Sequence, residues 1–294
     1  MKPLIYVADG KIRDLRKRRF DVYVRMVDKV ERQTGQGTLW PEGVYLTPSE
    51  FEAYIHVENP TGIHLAFDTQ EELDYLIDKL CPVVEALYIC AKHNRIFDFS
   101  ILERCQQLES VELYWNTKQE SLWDVKKNTK LKHFEIKEYY HVSDFSAFRG
   151  SSIEDLRLFG CNGYSSFVSK MHIDDLSFIL DMPNLRQLWL DIIKDENSNY
   201  YLNLFDKCKN LSVLSIPDSF FTFQQFAWLK AHLPNVTSGL ECVTYFKDFC
   251  SVIGKRTPKL LEDMAKAEKY QKRYDALVEK YRSREMPPAD DEKD

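Results

Sequence analysis

Leu108-Glu109-Ser110-Val111-Glu112-Leu113 carries apolar side chains at its first, fourth and sixth positions. The same phrase returns as Val84-Glu85-Ala86-Leu87-Tyr88-Ile89, Leu131-Lys132-His133-Phe134-Glu135-Ile136, Ile153-Glu154-Asp155-Leu156-Arg157-Leu158, Leu185-Arg186-Gln187-Leu188-Trp189-Leu190 and Leu211-Ser212-Val213-Leu214-Ser215-Ile216. Its first apolar positions fall at 84, 108, 131, 153, 185 and 211, in steps of 24, 23, 22, 32 and 26 residues. The second half of the phrase alternates with period two, which is the pattern of a short strand with one buried face. A unit of this size cannot bury that face alone, so copies must stack and share a core. Strands reached by the same crossover each time run parallel.

The alternation also assigns the opposite face. The third and fifth positions of each phrase, and the residue just after it, point away from the core. One outward row then reads Tyr88, Glu112, Glu135, Arg157, Trp189, Ser215, and the row beside it Cys90, Tyr114, Lys137, Phe159, Asp191, Pro217. Large aromatics among charges have the composition of protein-binding hot spots. The candidate partner-binding residues are therefore Tyr88, Glu112, Tyr114, Glu135, Lys137, Arg157, Phe159, Trp189 and Asp191. The competing reading is that these rings shield the sheet or are covered by the protein's own termini.

On these phrases, residues 84 to about 242 resemble leucine-rich repeat proteins of an irregular type, whose repeats run to about 20–29 residues. The resemblance implies an α/β solenoid with a parallel sheet on its concave side, and a protein that works by binding other proteins. The family's Asn or Cys, three residues after the last apolar position, stands here as Asn116 and Cys161; the other four equivalents are Lys92, Tyr139, Ile193 and Ser219. These departures predict uneven curvature.

The flanks divide into an N-terminal α+β cap (1–60), the repeat domain (61–254), a C-terminal helix (255–285) and a disordered acidic tail (286–294). In the cap, Leu4 to Val7 reads as a strand, while Ile12, Leu15, Val22, Met26 and Val30 recur at helical spacing against a competing strand alternation at Val22 and Val24. Thr47-Pro48-Ser49-Glu50 is a helix start. Ile63, Leu65 and Phe67 alternate as a strand, and Leu73, Leu76, Ile77 and Leu80 share one helix face. Segments between strands supply a convex side of helices or short turns. The long step holds an insertion at 160–172, either a contact loop or a longer convex segment, and a seventh, degraded strand is expected near Val236 to Val243. From Pro258 to Arg284 the chain is helix-forming, with a weak heptad seam (Leu260, Met264, Ala267, Gln271, Tyr274, Val278, Tyr281) that packs on the last repeat, projects as a charged helix or dimerises.

A net charge of -6 argues against a phosphate-tracking nucleic-acid binder. The basic stretch Lys11, Arg13, Arg16, Lys17, Arg18, Arg19 is interrupted by Asp14 and reads as a solvated face; a phosphate or acidic-partner site there carries the alternative function, an enzyme or nucleic-acid-associated factor. No apolar run is long enough to cross a bilayer, and the opening residues lack a signal-peptide core, so a cytoplasmic monomer is expected. The seven cysteines form no Cys-x-x-Cys pair, so neither a disulfide framework nor a zinc site is expected; Cys81, Cys105 and Cys208 each precede a phrase by three residues and read as small buried equivalents. No catalytic or cofactor motif occurs, and no cofactor or metal is expected. His133, the histidine read as outward, has Glu112 and Glu135 on or beside its strand, but an open sheet face is a poor place for acid–base catalysis.

Overall fold

The computed structural model describes residues 4–9, 22–27, 43–92, 94–160, 171–245, 250–254, 259–261 and 264–292. The basic stretch at 11–19, with Ile12, Leu15, Val30 and Cys161 and most of the insertion expected at 160–172, lies outside them. The chain is α/β, built on a ten-stranded, mostly parallel sheet.

The N-terminal segment supplies β1 (Leu4–Asp9), β2 (Val22–Val27), β3 (Gly43–Leu46) and α1 (Pro48–Glu58). Val22 and Met26 therefore sit in a strand and not in the helix their spacing suggested. The β-branched alternation Val22, Val24 wins because both side chains reach the core from one face. β1 pairs antiparallel with both β2 and β3, and β2 joins β4 (Gly62–Phe67) in parallel, so this segment caps the array by lengthening its sheet. Both α1 and α2 (Gln70–Leu80) open with capping boxes, Thr47 with Glu50 and Thr69 with Glu72, each satisfying two backbone N–H groups at the helix start. α2 buries Leu73, Leu76, Ile77 and Leu80, the face its sequence marked.

The recurring phrases become β5 (Ala86–Ala91), β6 (Ser110–Tyr114), β7 (His133–Lys137), β8 (Asp155–Phe159), β9 (Gln187–Asp191) and β10 (Val213–Ser215). From β4 to β10 each strand pairs in parallel with the next in sequence. The connections on the core side are short 3-10 helices at Ser100–Arg104, Val125–Lys127, Ser146–Phe148 and Leu176–Asp181, then α3 (Ser198–Asp206) and α4 (Phe223–His232). Their apolar residues and the inward strand residues form one continuous core. A spine of rings (Phe67, Phe97, Phe99, Trp123, Phe134, Phe148, Phe178) runs through it in successive contacts of 4.8–6.4 Å.

Buried amides close the gaps in the backbone pattern. Asn116 donates to Arg95 O (2.9 Å) and accepts from the N–H groups of Lys118 and Gln119. Asn128, three residues before the third phrase, donates to Leu102 O and Cys105 O and accepts from Trp123 Nε1. Cys81 and Cys105 occupy that same column in the two preceding units, with Cα atoms 4.5 Å apart, and are joined by a disulfide. This corrects the expectation of free thiols: equivalent positions in adjacent units are close enough to bridge. Cys208 is free and half-buried.

The C-terminal end departs from expectation three times. Where a seventh strand was expected, only Ser238 bridges Val213, and Gly239 at φ +100° then turns the chain away. A Cβ there would meet Leu214 O at 2.1 Å, so no other residue fits. Val243 instead enters a small antiparallel sheet of β11 (Val243–Tyr245), β12 (Cys250–Val252) and β13 (Lys259–Leu261), which takes residues assigned to the helix because pairing with β12 satisfies their backbone. α5 (Met264–Tyr281) then packs on the last unit through Ala267, Tyr274, Leu277 and Tyr281, with the Tyr274 hydroxyl donating to Leu240 O (3.0 Å). Gln271, the weak seam position, bonds Asp275 instead. Finally, the tail expected to be disordered is docked through residue 292, with Pro287 and Pro288 buried.

Candidate functional site

The outer face of the sheet, opposite the core, brings all nine candidate residues together. Tyr88, Glu112, Glu135, Arg157, Trp189 and Ser215 are register partners across five consecutive strand pairs. Cys90, Tyr114, Lys137, Phe159 and Asp191 form the adjacent row. Pro217 lies past the end of β10 and does not extend it. At the spacing of parallel strands, about 4.8 Å, the nine residues cover a patch roughly 19 Å long.

Two features of this face were not read from the sequence. The first row continues through His64 to Tyr23 on β4 and β2, so His133 is not the one outward histidine; the alternation of Ile63, Leu65 and Phe67 already placed His64 outward. The Tyr6, Tyr23, His64, Tyr88 and Tyr114 rings follow one another at 4.6–6.1 Å. A third row, Ser110, His133, Asp155 and Gln187, adds Asp155.

Packing on this face is tighter than open solvent would allow. Glu135 is only 2% exposed and His133 is also buried, correcting their reading as solvent-facing. Directly opposite carboxylates at Glu112 and Glu135 repel, and Glu135 is neutralised by Lys137 Nζ at 2.7 Å and Arg157 at 3.7 Å. Arg157 also donates through Nε and Nη2 to Asp155 (3.0 and 2.8 Å) and lays its guanidinium 5.1 Å from the Trp189 ring centre. His133 Nδ1 donates to Asp155 Oδ2 at 2.8 Å, and its Nε2 lies 3.9 Å from Glu112. Asp155 meets His133 because the two are register partners in the middle of the third row, across β7 and β8.

Burial pushes the Asp155 carboxyl up, but hydrogen bonds from His133 and Arg157 and their charges outweigh it and hold the group below its ordinary value. For Arg157 burial acts to lower the value, and bonding to Asp155, with Glu135 and Glu112 nearby, holds it above. Burial raises the Tyr88 and Tyr23 hydroxyls and the Cys90 thiol, and lowers His64 to about 4. An acid pinned in its ionised form by two donors is a poor proton shuttle. Among the described residues, no group of three or more His, Cys, Asp or Glu side chains is placed to hold a metal ion, and no helix is long and apolar enough to cross a membrane.

One end of the face has an unusual backbone. Trp115 and Glu138, the residues just after β6 and β7, both take left-handed conformations (φ 56° and 57°), which non-glycine residues rarely adopt. Their N–H groups thereby bond the last carbonyls of the next strands, Lys137 O and Phe159 O. This turn leaves the Trp115 side chain 44% exposed beside Tyr114. No protein-family model matches the chain, and no curated protein matches it.

Proposed function

We propose that the chain is a non-catalytic, leucine-rich-repeat-type binding module that holds a protein partner on the outer sheet face, as a scaffold, adaptor or inhibitor. In this reading the outer face is the concave side of a solenoid. The observation that carries it is the joining of nine aromatic and charged side chains into two continuous rows across β5 to β9, a patch suited to a protein surface. Of the partly exposed charged residues there, Glu112, Asp155 and Asp191 outnumber Lys137 and Arg157, so the matching surface on the partner is basic. Trp115, Tyr114 and Trp189 supply the aromatic anchors.

A cytoplasmic, monomeric module belongs to the same proposal. The Cys81–Cys105 bond opposes the cytoplasmic part, because reducing compartments keep thiols free; thiol titration of protein taken directly from its source decides it. For the binding face, a photo-crosslinking side chain at position 115 is expected to trap the partner at a basic surface. Trp189→Ala with Tyr114→Ala should cut capture at least tenfold while shifting the melting temperature by only a few degrees. Capture that persists in the double variant, or that is lost instead when the basic stretch at 11–19 is neutralised, would refute the assignment to this face and favour the enzyme or nucleic-acid alternative.

A further inference from the structure

One face of α4 is built to read a peptide backbone. Gln225, Trp228 and His232 recur at helical spacing on that face, and Gln225 and Trp228 are fully buried. The Gln225 amide is oriented from within: its oxygen accepts the N–H of Thr222 in the capping box of α4 (3.0 Å). Its two N–H groups are thereby aimed outward, where they donate to Pro288 O (3.0 Å) and Asp290 Oδ1 (2.9 Å). Trp228 Nε1 and His232 Nε2 bond Arg284 O at 2.9 and 3.0 Å. The helix and the segment it reads run in opposite directions, with Gln225 meeting the late residues and His232 the early ones.

The occupant is the chain's own tail, and its chemistry is specific. Pro287 and Pro288 are buried. Asp290 accepts hydrogen bonds from Ser198 and Gln225 and faces the charge of Lys194, which together hold its carboxyl below the ordinary value. Lys194 is itself fixed by donation to Phe220 O (2.9 Å). Glu292 folds back onto Arg284 in a two-pronged ion pair of 2.6 and 2.8 Å. Buried donors pointed at main-chain carbonyls, a slot for paired prolines and a cation for an acid form a recognition site that is separate from the sheet face.

We infer that this face of α4 is a peptide-binding groove for acidic segments containing paired prolines, that the tail is its resident occupant, and that a partner protein bearing such a segment displaces the tail. A tethered occupant competes at high effective concentration, so the groove takes a free peptide weakly until the tail is loosened. The test uses the full chain and a fluorescein-labelled peptide of residues 284–292. In a chain carrying Pro288→Gly, Asp290→Lys and Glu292→Lys, the peptide should bind at least tenfold more tightly than to the unaltered chain. Adding Gln225→Leu should remove that gain. A cooperatively melting tail variant that binds the peptide no better than the unaltered chain overturns the proposal.

Should the tail variant not fold, hydrogen exchange on the unaltered chain gives the answer. Millimolar unlabelled peptide should accelerate exchange of the chain's own amides at 286–292, and no acceleration overturns the inference. Sedimentation supplies the remaining check. A tail variant that dimerises with the unaltered chain at micromolar concentration and excludes the peptide would mean that a second copy is the occupant, and the external partner would be discarded.

Discussion

The array from β4 to β10 and the C-terminal end are held together in different ways. In the array each strand satisfies its backbone on an equivalent strand one unit away, and each inward Leu, Ile or Val meets its own counterpart. At the end there is no next unit. Closure combines the apolar packing of α5 with single bonds between unlike groups: Tyr274 to Leu240, Gln225 to Pro288, Trp228 to Arg284. The array has a rule that repeats, so a defect propagates to its neighbours; the end has a list of particular contacts, so a defect there stays local.

The sharpest way to break this contrast is Val111→Asp. Val111 is fully buried at the centre of β6, and an unpaired carboxylate there is expected to cost about 4 kcal/mol or more. Urea denaturation should show loss of the whole array; a melt within a degree or two of wild type would mean that the strand register is wrong. Opening the Cys81–Cys105 bond, by Cys105→Ala or by reductant, releases a loop spanning a sequence separation of 24, worth about 3 kcal/mol in chain entropy. Denaturant midpoints with and without dithiol reductant measure it, and equal midpoints would remove the bond from the account of stability.

His64 tests the junction with the N-terminal strands through pH. Burial holds its folded value at about 4, below the ordinary histidine value of 6.5. The unfolded chain therefore binds a proton that the folded one refuses as pH falls from about 6.5 to 4, and stability declines across that window. The loss is on the order of 3 kcal/mol at its acid end. His64→Phe keeps a ring between Tyr23 and Tyr88 and should flatten the dependence. A wild-type minus variant difference that stays constant from pH 7 to 4 would contradict the burial of a neutral imidazole. The smallest effect belongs to the end. Removing residues 286–294 strands the buried Gln225 amide and should cost about 2 kcal/mol, lowering the thermal midpoint while leaving the cooperativity of the array unchanged.

The array was legible because its rule has period two. Once Leu108, Val111 and Leu113 face inward, Ser110, Glu112 and Tyr114 must face outward, and the rows from Tyr88 to Trp189 and from Tyr114 to Asp191 follow in register. Burial on the outer face was not legible, because whether Glu135 is covered depends on Lys137 and Arg157 and not on alternation. The disulfide could have been found: the interval from Cys81 to Cys105 equals one unit step, and equivalent residues of adjacent units are neighbours. Lys259-Leu260-Leu261 was misread because helix propensity is local while its pairing with Cys250–Val252 is not. The docked tail had no sequence signal at all, since the partners that hold Asp290 are far off in the chain, Gln225 by 65 residues and Ser198 and Lys194 by more.

That separation sets an order in time. Every pairing from β4 to β10 joins segments one unit apart, so the sheet can grow strand by strand as the chain leaves the ribosome. The groove on α4 is complete well before its occupant exists, because Pro288 follows Gln225 by 63 residues. For the interval in which those residues are made, the nascent protein carries an open groove lined by Gln225 and Trp228. The segment that fills the groove is thus synthesised after the groove and docks onto a surface already formed.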